Sequence, residues 1–345
     1  MQRKTIGIFT FQVKGGTPWD LDTINNGISG SEEAVIYVSQ RLAEMGFQVF
    51  ILGDPPIDSP YAQPGSNPRF LRDFFLLPHP IDIAISWRMP HLAPALRTIA
   101  RKVYLWPHDI LTDPLNKEQV DAFDDVLWLS EWQRSQWISI DSNFSRFVHI
   151  FGNGVNQEQF KPVKKRVNPY SCIYGSNYGR GLSVLTSIWG NIKREFPDAT
   201  LDIYYGWQHW GALSTEEEKF LRKQIEALPD VREHGCVGHE ELNRAYEAAS
   251  FWTYPCTKPE TFCITALRAQ LAGAIPVICK NSALAETVRY GYSCFRIEDY
   301  CHTLKKALSN AEKICVDERS KMGAFILNDF TWKQIAIKYK KMFNS

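Results

Sequence analysis

One stretch of the chain places a loop, a helix, a glycine stop and a buried strand in succession: Pro259-Glu260-Thr261-Phe262-Cys263-Ile264-Thr265-Ala266-Leu267-Arg268-Ala269-Gln270-Leu271-Ala272-Gly273-Ala274-Ile275-Pro276-Val277. Gly273 is typical of a helix C-terminus, where a left-handed backbone conformation is common. Glu260 precedes the helix start, where several backbone N–H groups have no partner within the helix. A carboxylate and free N–H groups at one point suit a ligand that carries both hydroxyls and phosphates. The alternative for Glu260 is an ordinary acid at a helix N-terminus.

The rest of the chain alternates short apolar runs with helical patterns, which predicts a parallel α/β architecture. In the first half, the strand candidates are residues 5–11, 49–52, 81–86, 102–106, 125–129 and 148–150. In the second half, they are residues 171–174, 199–205, 231–234, 251–254 and 275–279. Apolar residues at helical spacing from Ala34 to Met45 predict a helix between the first two strands, with Gly46 as its stop.

The length of the chain, 345 residues, favours two domains. Residues 161–169 combine proline and charge without apolar periodicity, so we predict the interdomain linker there. The predicted domains are residues 1–160 and 161–328. An amphipathic pattern from Phe330 to Tyr339 predicts a terminal helix within residues 329–345, whose apolar face docks back across the domain junction.

Composition argues against several classes of function. The formal net charge is +1, so no global electrostatic field favours nucleic acid. No apolar run is long enough to span a membrane, and the N-terminal run lacks a cleavage site, so we expect a cytoplasmic protein. The eight cysteines form no C-x-x-C pair, which favours free thiols in a reducing compartment over a zinc site.

Three polar segments are candidates for ligand contacts. Gly30-Ser31 precedes the first helix, and Ser31 can cap it; the alternative is an ordinary connecting loop. Gly179-Arg180 follows the first strand of the second domain, where an arginine can bind two phosphate oxygens; the alternative is a surface arginine. His108 lies at the carboxyl end of a strand and can donate to a substrate hydroxyl; the alternative is an ordinary polar loop residue.

Together these segments resemble the retaining nucleotide-sugar glycosyltransferases of the GT-B fold, family 4. The resemblance covers nearly the whole chain and implies two Rossmann-like domains that face each other across a cleft. The segments that carry it are Gly30-Ser31-Glu32, Gly152-Asn153-Gly154-Val155-Asn156 with Phe160, Arg180-Gly181, His239-Glu240-Glu241-Leu242, Glu260 as the first acid of the family's E-x7-E motif, Gly273 with Pro276-Val277, and Phe330-Thr331-Trp332.

The resemblance implies a role for each segment. Glu260 would hold hydroxyls of the donor sugar, Arg180 would neutralise the leaving diphosphate, and His108 would contact the sugar near the reacting centre. The other residues that it places at the donor are Gly30, Ser31, Asn153, Gly179, Gly235, Val237, Phe262, Cys263 and Ile264. The donor would be a UDP- or GDP-sugar, with no further cofactor and no metal.

The acceptor would be a glycan, a lipid-linked sugar or a small molecule with a free hydroxyl, bound by the first domain. The mixed aromatic and charged residues Trp19, Asp20, Trp87 and Arg88 suit a glycan, although packing alone explains them equally well. We expect no nucleic-acid partner and no membrane-spanning segment, and peripheral contact with a membrane stays open.

Two positions depart from the family pattern. Arg268 stands where the family has the second acid of E-x7-E, which grips the ribose hydroxyls, and arginine has no acceptor for them. Either Arg268 faces the nucleotide as a donor to phosphate or ribose oxygens, or the chain is a catalytically impaired binding subunit. No second cation lies near Ser176, so Arg180 acts alone or with a lysine such as Lys258. A sugar-nucleotide epimerase or a phosphorylase of the same fold also stays open.

Overall fold

The computed structural model describes residues 3–10, 17–207 and 213–345. Their contacts divide the chain into two compact units. Unit 1 contains the described residues up to Thr23, together with Ser29–Gly154 and Phe330–Ser345, and unit 2 contains Ile24–Ile28 and Val155–Asp329. Phe11, which the sequence predicts at the end of the first strand, lies outside the described residues.

The strands of the described residues form one six-stranded sheet in each unit. Those of unit 1 are β1 (Thr5–Phe9), β2 (Gln48–Leu52), β3 (Arg69–Leu71), β4 (Ile81–Trp87), β5 (Ala100–Trp106) and β6 (Asp125–Val126). Those of unit 2 are β7 (Ser171–Gly175), β8 (Thr200–Tyr204), β9 (Val231–Glu233), β10 (Phe251–Tyr254), β11 (Ile275–Cys279) and β12 (Tyr292–Cys294).

The α-helices of the described residues separate these strands along the chain. They are α1 (Gly30–Glu44), α2 (Ala93–Arg97), α3 (Lys117–Asp121), α4 (Glu131–Ile140), α5 (Leu182–Glu195), α6 (Thr215–Ala227), α7 (His239–Ala248), α8 (Ile264–Ala272), α9 (Leu284–Thr287), α10 (Tyr300–Ser309), α11 (Val316–Asp329) and α12 (Trp332–Asn344). Among them α5 buries Leu182, Leu185, Trp189 and Ile192, whose spacing puts them on one face.

Both sheets are parallel and have the same topology. The strand order is β3-β2-β1-β4-β5-β6 in unit 1 and β9-β8-β7-β10-β11-β12 in unit 2. Each order reverses between the first and the fourth strand of its unit, which is the doubly wound arrangement. The predicted architecture of two Rossmann-like sheets is confirmed. Sheets of this kind bind ligands at the carboxyl ends of the strands beside the reversal, here β1 and β4 in unit 1 and β7 and β10 in unit 2.

The terminal helix α12 belongs to unit 1 although its sequence follows unit 2. Thr331 caps it by accepting from the backbone N–H of Gln334. The ring of Trp332 stacks on Tyr37 of α1 with 5.8 Å between centroids. Lys338 donates to the carbonyl of Phe151 at 3.1 Å, which fixes the helix further along. No helix in the described part of the chain is both long and apolar enough to cross a membrane.

The structure corrects three of the predicted segments. Residues 148–150 form no strand, and only an isolated bridge joins Ile150 to Trp128. Strand β6 is shorter than the predicted residues 125–129. The predicted linker at residues 161–169 is packed on unit 2, because Arg166 is buried and donates to the carbonyls of Ala249 at 2.8 Å and Ala272 at 2.6 Å.

Candidate functional site

The loops that follow β7 and β10 lie side by side at the carboxyl edge of the sheet in unit 2. Gly181 has a φ of +106°, and a Cβ atom on it would lie 2.3 Å from the carbonyl oxygen of Pro255. The loops therefore approach this closely only because the residue is a glycine. In the first loop, the backbone N–H of Gly179 donates to Asn177 Oδ1 at 2.9 Å. This bond holds Arg180 at the point where the strand order reverses.

Arg180 forms an ion pair with Glu260, with 2.8 Å between Nη1 and Oε1. It also donates to the carbonyl of Pro259 at 3.3 Å. The side chain of Arg180 is 35% exposed and that of Glu260 is 11% exposed, so the cation lies nearer to solvent than the carboxylate. Burial is the largest single influence on the pKa of Arg180 and lowers it, but Glu260, Tyr254 and Cys256 together outweigh burial, so the pKa lies above its ordinary value. The Arg180 guanidinium is therefore charged at neutral pH.

The contacts of the Glu260 carboxylate converge on one of its oxygens. Oε1 accepts from Arg180, from the Tyr254 hydroxyl at 2.5 Å and from the Cys256 thiol at 3.9 Å. The backbone N–H of Glu260 donates to Ser282 Oγ at 2.9 Å. Burial, followed by the Glu260 charge, raises the pKa of Tyr254 well above its ordinary value, so its hydroxyl keeps the proton. Within the described part of the chain no hydrogen bond or ion pair falls on Oε2, which leaves this oxygen to accept from a ligand.

Helix α8 begins directly beyond this carboxylate. Its N-terminal cap, Cys263, has φ 74° and ψ 82°, a left-handed conformation that is costly for residues other than glycine. Burial, together with Glu260, raises the pKa of Cys263 well above its ordinary value, so the thiol is neutral. Phe262 is buried, and Ile264 is the first helical residue. The positive end of the helix dipole therefore lies close to the ion pair and suits an anionic group.

Arg268 lies one turn further along α8 and faces α7. Its guanidinium donates to Asn243 Oδ1 and lies 3.5 Å from His239 Nδ1. The residue is only 3% exposed. The guanidinium therefore lies in the contact between two helices, and the expectation that Arg268 faces the nucleotide stays a prediction. Burial and the Arg268 charge lower the pKa of His239 well below its ordinary value, so this imidazole is neutral.

The loop after β9 contains Gly235 and Val237, which the resemblance places at the nucleotide base. The segment Ile24–Ile28, which belongs to unit 2, lies directly on this loop. A Cβ atom on Gly238 would lie 2.0 Å from the carbonyl oxygen of Asn25, so the backbones touch where only glycine fits. The loop that the resemblance places at the nucleotide base is therefore in contact with Ile24–Ile28, and the sequence did not predict this contact.

In unit 1, the start of α1 and the end of β4 come together. Ser29 is the N-terminal cap of α1, which corrects the expectation that Ser31 caps this helix. Gly30 is the first helical residue, and Ser31 donates to Glu32 Oε2 at 2.8 Å. Arg88, the residue after β4, places Nη1 3.4 Å from Ser31 Oγ. A helix N-terminus and an arginine therefore meet at the carboxyl edge of this sheet as well.

His108 lies beside an arginine–carboxylate pair. Arg88 donates from Nε to Asp109 Oδ2 at 2.6 Å and from Nη2 to Oδ1 at 2.8 Å. The ring of His108 lies 5.9 Å from Trp87 and 4.9 Å from Trp106 between centroids. Burial, followed by the Arg88 charge, lowers the pKa of His108 well below its ordinary value. At neutral pH the imidazole is therefore uncharged and can take part in hydrogen bonds with a polar ligand.

Several other predicted site residues are buried within unit 1. Asn153, Trp87 and Asp20 are 3%, 2% and 4% exposed. Asp20 accepts from Ser59 Oγ at 2.6 Å, which makes its carboxylate part of the local hydrogen bonding. Trp87 and Asp20 therefore expose little of their side chains, and their contact with an acceptor stays a prediction. Trp19 is half-buried, so it and Arg88 remain candidates for that contact.

The described residues contain no cluster of three or more His, Cys, Asp or Glu side chains that could hold a metal ion. Asp20-Leu21-Asp22 has D-x-D spacing, which occurs in some metal sites. However, Asp20 accepts from Ser59 and Asp22 accepts from the Tyr61 hydroxyl at 2.7 Å. The two carboxylates are therefore engaged in separate hydrogen bonds.

Sequence reasoning missed two residues that hold Glu260. Tyr254 is the last residue of β10, beside the reversal of strand order, and this place in the topology is a signal that could have identified it. Ser282 lies in the loop after β11, and no spacing in the sequence connects it with Glu260. Only the fold brings the two together.

Solved structures match the fold over the whole chain. Sucrose-phosphate synthase from Thermosynechococcus elongatus has a TM-score of 0.75 at 13% identity, covering 99% of this chain and 98% of that chain. HepE from Anabaena, in complex with UDP-glucose, has a TM-score of 0.71 at 15% identity, covering 98% and 99%. AviGT4, a glycosyltransferase involved in avilamycin A biosynthesis, has a TM-score of 0.63 at 16% identity, covering 99% and 97%.

These matches include both sheets, and the chain has the GT-B fold. No protein-family model matches the chain, and no curated protein matches its sequence. A fold hosts many functions, so the function has to be argued from the site.

Proposed function

We propose that this protein is a glycosyltransferase that moves a sugar from a nucleotide-sugar donor to a hydroxyl of an acceptor. The observation that carries the proposal is the ion pair of Arg180 and Glu260 at the carboxyl ends of β7 and β10. It puts a cation, a carboxylate oxygen and the start of α8 within reach of one ligand. A sugar linked to a diphosphate carries the hydroxyls and the negative charge that these groups bind.

The cation and the helix start act on the leaving diphosphate. When the bond between the sugar and the diphosphate breaks, negative charge grows on the diphosphate oxygens. Arg180 and the backbone N–H groups at the start of α8 stabilise this charge, and they are oriented before the reaction begins. Glu260 Oε2 accepts from a sugar hydroxyl and thereby fixes the orientation of the sugar.

We further propose that transfer retains the anomeric configuration, as in family 4. The acceptor oxygen attacks the sugar from the face that the diphosphate leaves, and its proton passes to a diphosphate oxygen. One carbon–oxygen bond forms and one breaks, so charge and protons balance. The contacts on Glu260 Oε1 support a role for this carboxylate as a hydrogen-bond acceptor and not as the nucleophile. A proton NMR spectrum of the product, in which the anomeric coupling constant is read, tests retention.

The cytoplasmic location and the roles of Gly30 and His108 are part of this proposal. All eight cysteines are free thiols, which supports a reducing compartment such as the cytoplasm. The roles that the resemblance gives to Gly30 and His108 are supported by their places at the carboxyl edge of the sheet in unit 1.

Donor binding tests the proposal directly. In isothermal titration calorimetry with UDP-, GDP- and ADP-glucose, we expect one UDP- or GDP-sugar to bind with one site per chain. The R180A variant is expected to bind this donor more weakly, since the phosphate contact goes with the guanidinium. Absence of binding heat with all three donors in the unmodified protein would contradict the proposal.

A second candidate function is supported by the position of Arg268. Because Arg268 is buried against α7 and brings no carboxylate to a ribose, the chain can be a binding subunit without catalytic activity. Mass spectrometry of a mixture with donor and a panel of glycan acceptors separates the two. A donor that binds and is never transferred or hydrolysed favours the binding subunit, and an isomerised donor favours the epimerase.

The contact between Tyr254 and Glu260 leads to a prediction about the donor. The Y254F substitution is expected to raise KM for the donor about fivefold to tenfold, which corresponds to the loss of about 1–1.5 kcal/mol for one hydrogen bond, with a smaller change in kcat. The reason is that Glu260 loses one of the two strong contacts that orient it. Steady-state kinetics measures both constants.

The matched control for this experiment is Y300F. Tyr300 is also fully buried in unit 2, but its hydroxyl donates to the carbonyl of Val277 at 2.8 Å, which is part of the core. Y300F is expected to lower stability and leave KM unchanged. Equal changes in KM for the two variants would show that Tyr254 acts only through general stability.

A further inference from the structure

Unit 2 contains a cavity at the edge of its sheet opposite to the Arg180–Glu260 ion pair. Its volume is about 470 Å³, within the range of about 300–1,000 Å³ that is usual for small-molecule sites. Ile275 and Tyr292, which line it, are the first residues of β11 and β12. The ion pair lies instead at the carboxyl edge, and β11 alone spans about 13 Å between the two edges.

The floor and walls of this cavity are apolar and aromatic. Ile275 and Met322 are 6% and 1% exposed and form its floor. Ile314 and Tyr292 are half-buried beside them, and Tyr290 is 41% exposed at the opening. Burial raises the pKa of Tyr292, so its hydroxyl is protonated at neutral pH. These side chains suit a flat or apolar group of a ligand.

The rim of the cavity carries a positive charge that is open to a ligand. Lys313 and Lys321 line it, and within the described part of the chain neither ammonium group has a carboxylate partner. Glu318 also lines it, and its Oε2 accepts from the backbone N–H of Cys315 at 3.2 Å. Two ammonium groups and one carboxylate leave a net charge of +1 at the opening. Two lysines at one opening suit a phosphate group, which carries a charge of about −1.5 to −2 at neutral pH.

We propose that this cavity is a second ligand site, which binds a small organic phosphate with a flat apolar body. The phosphate lies at Lys313 and Lys321, and the organic part lies on Tyr292, Ile314 and Met322. The site belongs to unit 2 alone and is separate from the proposed donor site. It does not depend on whether the protein transfers sugars.

The test uses phenyl phosphate as the probe. Inorganic phosphate, which has only the charged group, and phenol, which has only the aromatic ring, serve as comparison ligands. In calorimetry with the full chain, phenyl phosphate is expected to bind at least tenfold more tightly than inorganic phosphate or phenol. The K313A/K321A variant is expected to weaken this binding at least tenfold. The K219A/K223A variant removes two lysines from α6, outside the cavity, and is expected to bind phenyl phosphate unchanged.

The R180A variant separates this site from the donor site. It is expected to bind phenyl phosphate as the unmodified protein does. Binding that is lost in R180A and kept in K313A/K321A would assign the probe to the donor site and overturn the proposal. Absence of binding to the unmodified protein, or inorganic phosphate that binds as tightly as phenyl phosphate, would overturn it too.

Discussion

Replacing Arg180 with alanine is expected to lower kcat for sugar transfer about 100- to 1,000-fold. This corresponds to about 2.7–4 kcal/mol of barrier, the cost of removing one oriented donor from a developing negative charge. Arg180 is held in place by Glu260 and by the loop that Gly181 allows, so no other cation of that loop can replace it. Steady-state kinetics with the donor that binds in calorimetry measures the effect.

Two further variants make the interpretation specific. R180K keeps the positive charge but loses the planar guanidinium, which can donate two parallel hydrogen bonds to a phosphate. Its kcat is therefore expected to lie between those of the unmodified protein and R180A. R232A removes an exposed arginine from β9 and is expected to leave kcat unchanged. A normal kcat in R180A would refute the role of this cation. Equal losses in R180A and R232A would point to a general electrostatic effect.

The part of the fold that the sequence predicts is the part with long apolar runs. The central strands β1, β4, β7, β10 and β11 were predicted within two residues of their observed ends, because both faces of a parallel sheet are buried. The edge strands β3 and β12 were missed, since each has three residues and little apolar pattern. Helix α11 was missed as well, because half of its residues are polar or charged.

The candidate site could be predicted at the positions where a charged residue follows a strand beside the reversal of strand order. Arg180 and Glu260 stand in the loops after neighbouring strands of a doubly wound sheet, and such loops meet at the carboxyl edge. The positions of buried polar residues were not predictable. Arg268 follows Glu260 at the spacing of a ligand contact, yet its guanidinium donates to Asn243 of α7, a contact that the sequence does not predict. Arg166 stands in a stretch that resembles a linker, yet two carbonyl groups fix it in the core.

Replacing Arg319 with methionine is expected to lower the free energy of unfolding by about 2–6 kcal/mol. Arg319 is 3% exposed and donates to the carbonyls of Ser250 at 2.9 Å and Gly273 at 2.7 Å. Methionine fills a similar volume but donates to neither, and each buried carbonyl left without a donor costs about 1–3 kcal/mol. Burial lowers the pKa of Arg319 to about 10, so at neutral pH the guanidinium is charged and all its donors are present. Urea unfolding followed by circular dichroism measures the loss.

An exposed arginine and donor binding show whether the loss of stability in R319M is confined to the core around Arg319. R296M changes an arginine whose side chain is 73% exposed and is expected to alter the free energy of unfolding by less than about 0.5 kcal/mol.

Arg319 holds the end of α8, whereas Arg180 and Glu260 lie at its start, about 13 Å away along the helix. R319M is therefore expected to lose stability and, while folded, to bind donor unchanged, whereas R180A is expected to bind donor more weakly even while folded. If R319M unfolds at the same urea concentration as the unmodified protein, the two carbonyl groups have found other donors, and Arg319 does not hold the end of α8.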